Sequence, residues 1–302
     1  MAERSHAGRF FCFAKMELLE PTICHTPGTA QRYSTVMRNA PIVLTIAGFD
    51  PSSGAGVTAD IKTLAAHGCY GIACITAMTV QSTRGVRRVE PLPAALVSST
   101  LKELVGDFEI SALKVGMLGS GPVARAVLRF LGQHRPKHSV LDPVLRSSSG
   151  TALIDAAGVR VLPKLFAAVE VITPNVHEAS VLSGVKIRGM EDLAEAAAVL
   201  HQRGARNVVI TGGDFESVHG KAIDVLSTAG GAQMQEFAGS KLASRSTHGT
   251  GCAFSTAVAA NLALGRSLPE AVSRAKHFVR EGIRTAETMG QGVGPMNHFP
   301  RY

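Results

Sequence analysis

The sequence predicts an α/β fold: a mostly parallel sheet with helices on both faces. Three observations carry this. Short β-branched apolar runs alternate along the chain with amphipathic or alanine-rich segments of helical length. The runs are near-continuously apolar, as strands covered on both faces are. Glycine, proline, asparagine and aspartate gather where the runs end.

Taken in order, the first strand, 42–47, is apolar apart from Thr45 and opens into a glycine- and serine-rich turn. Helix 55–67 follows, with Val57, Ile61 and Leu64 at helical spacing. Strand 72–76 comes next, and the polar stretch from Ala77 to Gly85 is expected to lie beyond its end. Helix 94–105 carries Val97, Leu101 and Leu104 on one face, strand 112–117 follows, and Pro122 marks the first turn of helix 122–132. The short strand 139–141 ends at Asp142-Pro143, helix 156–165 follows, and strand 169–173 ends at Pro174. Asn175 and Glu178 open helix 175–183, and Gly204 closes helix 190–203. Strands 207–211 and 222–227 flank Gly212-Gly213. Helix 250–264 is apolar almost all round, hence buried, and helix 268–287 carries Pro269 in its first turn.

The 302 residues are 45% hydrophobic and 18% charged, enough to build a large core and to exclude global disorder. The formal net charge of +8 comes from scattered arginines and lysines, and aromatics are few, with no Trp and three Tyr. That combination argues against a nucleic-acid surface and suits small anionic ligands. No run reaches the ~18 apolar residues of a membrane span. Cys12, Cys24, Cys69, Cys74 and Cys252 are odd in number and lack zinc-site spacing, which fits free thiols in a reducing, cytoplasmic compartment. Residues 1–38 show no hydrophobic period and no secretory h-region. They are expected to be a disordered extension or to precede a working start at Met37.

In such a fold ligands bind beyond the carboxyl ends of the strands. The richest segment is Ser246-Thr247-His248-Gly249-Thr250-Gly251-Cys252, which opens the buried helix 250–264. A glycine turn at a helix start aims unpaired N–H groups and the helix dipole at one spot, which suits a phosphate or a developing oxyanion. Cys252 within it has the side chain whose thiolate such a field populates most easily, and its pKa is expected to fall by one or more units. An anion cradle holding a tunable base suggests phosphoryl transfer to a hydroxyl. After the first strand, Asp60 sits in the first turns of the helix, as a hydrogen-bond acceptor for a substrate or as a plain solvated carboxylate. Gln81 offers both a donor and an acceptor to a heterocycle edge. Asp142, Asn175 and Glu178 offer oxygens of the kind Mg²⁺ takes through water, although Asn-x-x-Glu is also a capping box. Gly119-x-Gly121-x-x-Ala124, with Asp142 about 20 residues on, mimics a dinucleotide fingerprint. It follows the third strand, and Pro122 explains it more simply as a helix start. There is no Walker motif and no G-x-S-x-G elbow.

Three motifs in order carry a resemblance: Ile46-Ala47-Gly48-x-Asp50-x-Ser52-x-Gly54-Ala55-Gly56, Thr173-Pro174-Asn175-x-x-Glu178-Ala179 and Thr247-His248-Gly249-Thr250-Gly251-Cys252. From Pro41 to Phe299 the chain resembles the ribokinase-like superfamily, and within it the hydroxymethylpyrimidine/phosphomethylpyrimidine kinases of thiamine biosynthesis. The resemblance implies a three-layer α-β-α sandwich in one kinase domain, 39–302, commonly a homodimer. It implies ATP and Mg²⁺ as cofactors, and phosphorylation of a pyrimidine hydroxymethyl group and then of the monophosphate. By position, Gly48, Asp60, Gln81, Met117 and Val144 would form the pyrimidine pocket. Asn175, Glu178, Thr211 and Thr247 would serve the nucleotide, and Asp142 and Glu178 the metal. Gly249 and Gly251 would form the anion hole, with Cys252 as the base. Two positions depart from the pattern: Thr211 stands where relatives often have Lys, and Asp214 where His is common. The resemblance also leaves open a pyridoxal/pyridoxine kinase, or a ligand sensor that has lost turnover.

Overall fold

The computed structural model describes residues 40–213 and 220–300, so the expectations for 1–38 and for Asp214 lie outside the described residues. The apolar runs pair into a nine-stranded sheet of order β3-β2-β1-β4-β5-β6-β7-β8-β9. These strands are β1 (Ile42–Phe49), β2 (Tyr70–Ser82), β3 (Gly85–Pro91), β4 (Ile110–Val115), β5 (Ser139–Leu141), β6 (Val171–Ile172), β7 (Val208–Ile210), β8 (Lys221–Thr228) and β9 (Gln233–Ser240). β2, β1, β4, β5, β6 and β7 run parallel, and β3, β8 and β9 join antiparallel at the edges.

Side-chain alternation assigns each strand residue to a layer. Leu44, Ile46, Leu113, Val115, Leu141, Ile172 and Ile210 face one core, packed by α2 (Ala94–Asp107), α3 (Gly121–His134), α5 (Leu162–Ala168), α6 (Val176–Ser183) and α7 (Met190–Gln202). Val43, Ala112, Val140, Val171, Val209 and Leu226 face the other, under α1 (Gly56–Ala66), α8 (Thr250–Ala263) and α9 (Leu268–Arg284). The result is the predicted α-β-α sandwich.

The structure departs from the sequence reading in four places. β2 does not stop at Thr76 but runs on to Ser82, because β3 pairs with its outer half. β3 and β9 lie outside the predicted elements; β9 is an edge strand with most of its residues exposed, so it shows no apolar run. Segment 156–165 breaks into α4 (Ala156–Val159) and α5 at Pro163, which stands in the first turn of α5. In the Gly119-x-Gly121 fingerprint the Gly121 N–H is taken by the Asp155 carboxylate at 2.9 Å and a side chain there would collide with Ala157, so packing accounts for the glycine and its N–H is not left for a pyrophosphate.

Candidate active site

A cavity of about 440 Å³ opens beyond the carboxyl ends of the parallel strands, within the usual size of a small-molecule site. Every predicted site residue lines it except Asp60. The N-terminal turn of α8 forms one wall. Gly249 caps that helix at φ +76°, and a Cβ there would overlap the Gly54 carbonyl, so only glycine lets the turn close against the β1–α1 loop. Thr247, Gly251 and Cys252 line the cavity from the same turn.

The thiol does not behave as its helix position suggested. Burial dominates and pushes Cys252 up to about 12, only partly opposed by the Lys114 ammonium and the Gly56 N–H. Desolvation of a thiolate outweighs the helix-start effect here, so Cys252 rests as a neutral thiol.

Asp60 is likewise displaced from its predicted role. Its carboxylate is fully buried under the cavity floor. Lys114 Nζ lies 3.1 and 2.9 Å from its two oxygens, and the Thr45 and Thr256 hydroxyls donate at 2.5 and 2.7 Å. Thr45 and Lys114 are register neighbours on β1 and β4, so both point from the sheet toward α1 and α8. These contacts saturate Asp60, and none of its surface reaches the cavity. Burial alone would discharge Lys114, yet the Asp60 charge holds it above its ordinary value and thus protonated.

A small apolar cluster forms the opposite wall: Ala77, Val86, Met117 and Leu153, with Val144 packed against it. A Cβ at Gly48 would lie 2.6 Å from the Met117 sulfur, so the glycine admits the thioether against β1. The apolar surface they present suits the face of an aromatic heterocycle. At its rim Gln81 projects from the extended β2 beside Thr79 and His248. His248 Nε2 donates to Asp50 Oδ2 at 2.8 Å, and the Asp50 carboxylate also accepts from the Ser52 N–H, the Ser52 hydroxyl and the Ala55 N–H. Burial would raise Asp50, but the His248 and Ser52 hydrogen bonds prevail and hold it below the usual carboxylate range. In the sequence Asp50 and His248 stand only as motif letters. Nothing local signals that residues 198 positions apart meet.

The remaining wall is polar. Asn175 and Glu178 form a reciprocal capping box: Asn175 Oδ1 accepts from the Glu178 N–H at 2.8 Å, and Glu178 Oε2 from the Asn175 N–H at 3.0 Å. The other Glu178 oxygen accepts from the Leu145 N–H at 3.3 Å, tying the β5 loop to α6. The capping-box reading of the motif is borne out, and both residues also line the cavity. Asp142 is buried beside them; desolvation raises it to about 6, against the pull of Lys114 and the Ser255 hydroxyl, which donates at 3.2 Å. Thr211 lines the cavity with its N–H held by the Pro174 carbonyl at 3.0 Å. Arg146, which sequence reasoning does not single out, is the one Lys or Arg among the described residues that line the cavity. Its guanidinium donates to the Gly150 carbonyl at 2.8 Å, and no carboxylate pairs with it among the described residues.

Residues 50–297 match the family model for phosphomethylpyrimidine kinase. The chain belongs to the phosphomethylpyrimidine kinase family. It is a phosphotransferase of the ribokinase-like fold. The kinase is 40% identical over 257 residues to the hydroxymethylpyrimidine/phosphomethylpyrimidine kinase of Aquifex aeolicus, covering 85% of this chain and 99% of that one. It is 41% identical to the thiamine biosynthesis bifunctional protein ThiED of Geobacter sulfurreducens, over 87% of this chain and 54% of that protein, so it spans about half of the bifunctional relative. Among solved structures, the Bacillus subtilis pyridoxal kinase in an ADP complex superposes with a TM-score of 0.79 at 32% identity, covering 87% of this chain and 98% of that chain. The Clostridium difficile phosphomethylpyrimidine kinase superposes with a TM-score of 0.71 at 33% identity, covering 80% and 99%.

Proposed function

We propose that the cavity transfers the γ-phosphoryl group of ATP to the hydroxymethyl group of 4-amino-5-hydroxymethyl-2-methylpyrimidine, and then phosphorylates the resulting monophosphate. One observation carries the reading: the apolar surface of Met117, Val144 and Val86 shares a single cavity with the glycine turn of α8 and the Cys252 thiol. A ring held against that surface places its hydroxymethyl arm toward a group of phosphate-binding N–H donors.

The chain's own groups divide the work. Gly249 lets the α8 turn close against the β1–α1 loop, Gly251 leaves the space beside it clear, and the N–H groups of the turn stabilise charge on the transferred phosphoryl oxygens. Arg146 supplies the cation that Thr211 cannot, with no competing carboxylate among the described residues. Asp142 and Glu178 fit Mg²⁺: they are hard oxygen donors in one cavity, and among the described residues no cluster of three or more His, Cys, Asp or Glu offers a protein-built cage. That is the donor set of an ion that keeps waters and completes its shell with phosphates, whose charge it neutralises when bound. Cys252 takes the hydroxyl proton as its thiolate, the minor form that has first given up its own proton to solvent. The Lys114 charge and the Gly56 N–H favour its thiolate, and in a loose transition state the proton leaves late, so positioning outweighs base strength.

A second reading, pyridoxal kinase, is favoured by the ADP-bound pyridoxal kinase likeness. A coupled ADP-release assay with hydroxymethylpyrimidine, its monophosphate and pyridoxal decides between them. Turnover of both pyrimidines with kcat/KM above that of pyridoxal is the expected result. Exclusive use of pyridoxal would overturn the assignment.

A further inference from the structure

The contacts around Gln81 fix more than its position. Thr79 Oγ1 lies 3.0 Å from the Phe49 carbonyl and 3.1 Å from the Gln81 amide atom assigned as Oε1; the atom assigned as Nε2 lies 3.1 Å from His248 Nε2, an assignment that the proton count reverses. A hydroxyl has one proton and a ring nitrogen one hydrogen-bonding role, so the protons can be counted. His248 Nε2 faces the ionised Asp50 carboxylate at 2.8 Å, so that nitrogen carries a hydrogen whether the ring is neutral or charged. It is a donor and cannot accept from an amide NH₂. The Gln81 atom beside it is therefore the carbonyl oxygen, which shares the Nε2–H with Asp50.

The other end then follows. The Gln81 NH₂ group faces Thr79 and donates to its oxygen, while the Thr79 hydrogen goes to the Phe49 carbonyl. All four contacts are satisfied at once. With the amide turned the other way, the single Thr79 hydrogen has two acceptors and two N–H groups confront each other at His248. Oxygen and nitrogen of an amide have nearly the same shape, so the hydrogen-bond network is what distinguishes them.

We infer that His248 and Thr79 are positioning residues that lock the Gln81 amide with its carbonyl toward His248 and its NH₂ toward Thr79, which leaves the second N–H of a cavity-lining residue for a substrate with a hydrogen-bond acceptor at that edge of the ring. This rests on reading the cavity as the pyrimidine site. Within it, the inference assigns the acceptor to a ring nitrogen, not the exocyclic amino group. Asp50 is the anchor: its Ser52 and Ala55 contacts hold the carboxylate in the β1–α1 loop, and the Gly54 backbone lies close against the His248 ring, where a Cβ would collide.

The test has two parts that fail separately. Long-range ¹⁵N–¹H spectra of the full-length enzyme report which His248 nitrogen is protonated. An Nε2–H is expected, and an Nδ1–H tautomer with bare Nε2 would overturn the amide direction whatever the enzyme's activity. Calorimetric binding of the uncharged hydroxymethylpyrimidine without nucleotide, together with steady-state kinetics, then compares Gln81→Glu and Thr79→Val with wild type. Gln81→Glu keeps an acceptor toward His248 but loses the donor, so Kd and KM should rise about tenfold or more while kcat changes less. Thr79→Val removes only the hydroxyl that holds the NH₂ and should raise KM several-fold, again with little change in kcat. Wild-type affinity in both variants, or equal loss from kcat and KM, would overturn the selection. A wild-type enzyme that binds no pyrimidine overturns the substrate reading itself, and the tautomer spectrum still decides the amide direction.

Discussion

Lys114 Nζ lies 2.9 Å from Oδ2 of Asp60, with neither side chain exposed to solvent. The pair joins the central strand β4 to α1 directly beneath the Cys252 turn. Coulomb attraction in a low-dielectric interior repays two desolvation penalties only while both charges are present.

Removing one partner should therefore cost more than removing both. Lys114→Met is expected to destabilise the fold by about 3–5 kcal/mol. Lys114→Met combined with Asp60→Asn, whose amide oxygen keeps an acceptor for Thr45 and Thr256, should recover much of that loss. Urea unfolding of the single and double variants checks this; equal losses would show that the charges are not coupled.

Cys252→Ala is expected to keep pyrimidine affinity and to lower kcat by about 10²–10⁴, the usual worth of a positioned proton acceptor. Because the thiol is pushed up to about 12, iodoacetamide should label Cys252 slowly at neutral pH, with the rate rising about tenfold per pH unit as the thiolate fraction grows. Near-wild-type turnover in the Ala variant removes Cys252 from the proton transfer.

Asp142 gives a pH dependence of definite sign. Its folded pKa of about 6 stands above the ordinary 3.8, so the folded state binds the proton more tightly than the unfolded chain. That contribution favours the fold below about pH 4 and is lost as pH rises through about 6. At neutral pH and above, the ionised Asp142 thus opposes folding, while in the proposed function its charge faces Mg²⁺. Asp142→Asn should raise Tm by a few degrees under those conditions and abolish the acid limb of kcat/KM near pH 6, with activity strongly reduced. An unchanged acid limb would assign it to another group.

Arg146→Ala should raise KM for ATP or for the monophosphate by about tenfold, the value of one charge-assisted contact, and leave the affinity for the uncharged hydroxymethylpyrimidine unchanged. Thr211→Lys in the same background should restore part of the loss. Identical loss for charged and uncharged substrates would point to the loop's shape instead.

The catalytic end of the sheet is legible in the sequence because its signals are local. Glycines at a helix start, the Asn175-x-x-Glu178 box and Asp142 after a strand end each follow from backbone demands within a few residues, and all line the cavity. β9 is not legible, since an exposed edge strand carries no apolar run. Asp60 falls on the predicted helix but beneath the cavity floor instead of in the pocket. Its partners Thr45, Lys114 and Thr256 come from other elements of the fold, so nothing near Asp60 in the sequence signals that it is enclosed.

The alternating strands and helices, the glycine turn at Gly249–Cys252 and the family motifs are readable from the sequence, because periodicity and turn chemistry are properties of neighbouring residues. Which charges are paired and how readily a thiol ionises depend on the folded chain. Lys114 meets Asp60 across 54 positions and His248 meets Asp50 across 198. Desolvation depends on everything packed around a group, so it exists only once the chain has folded.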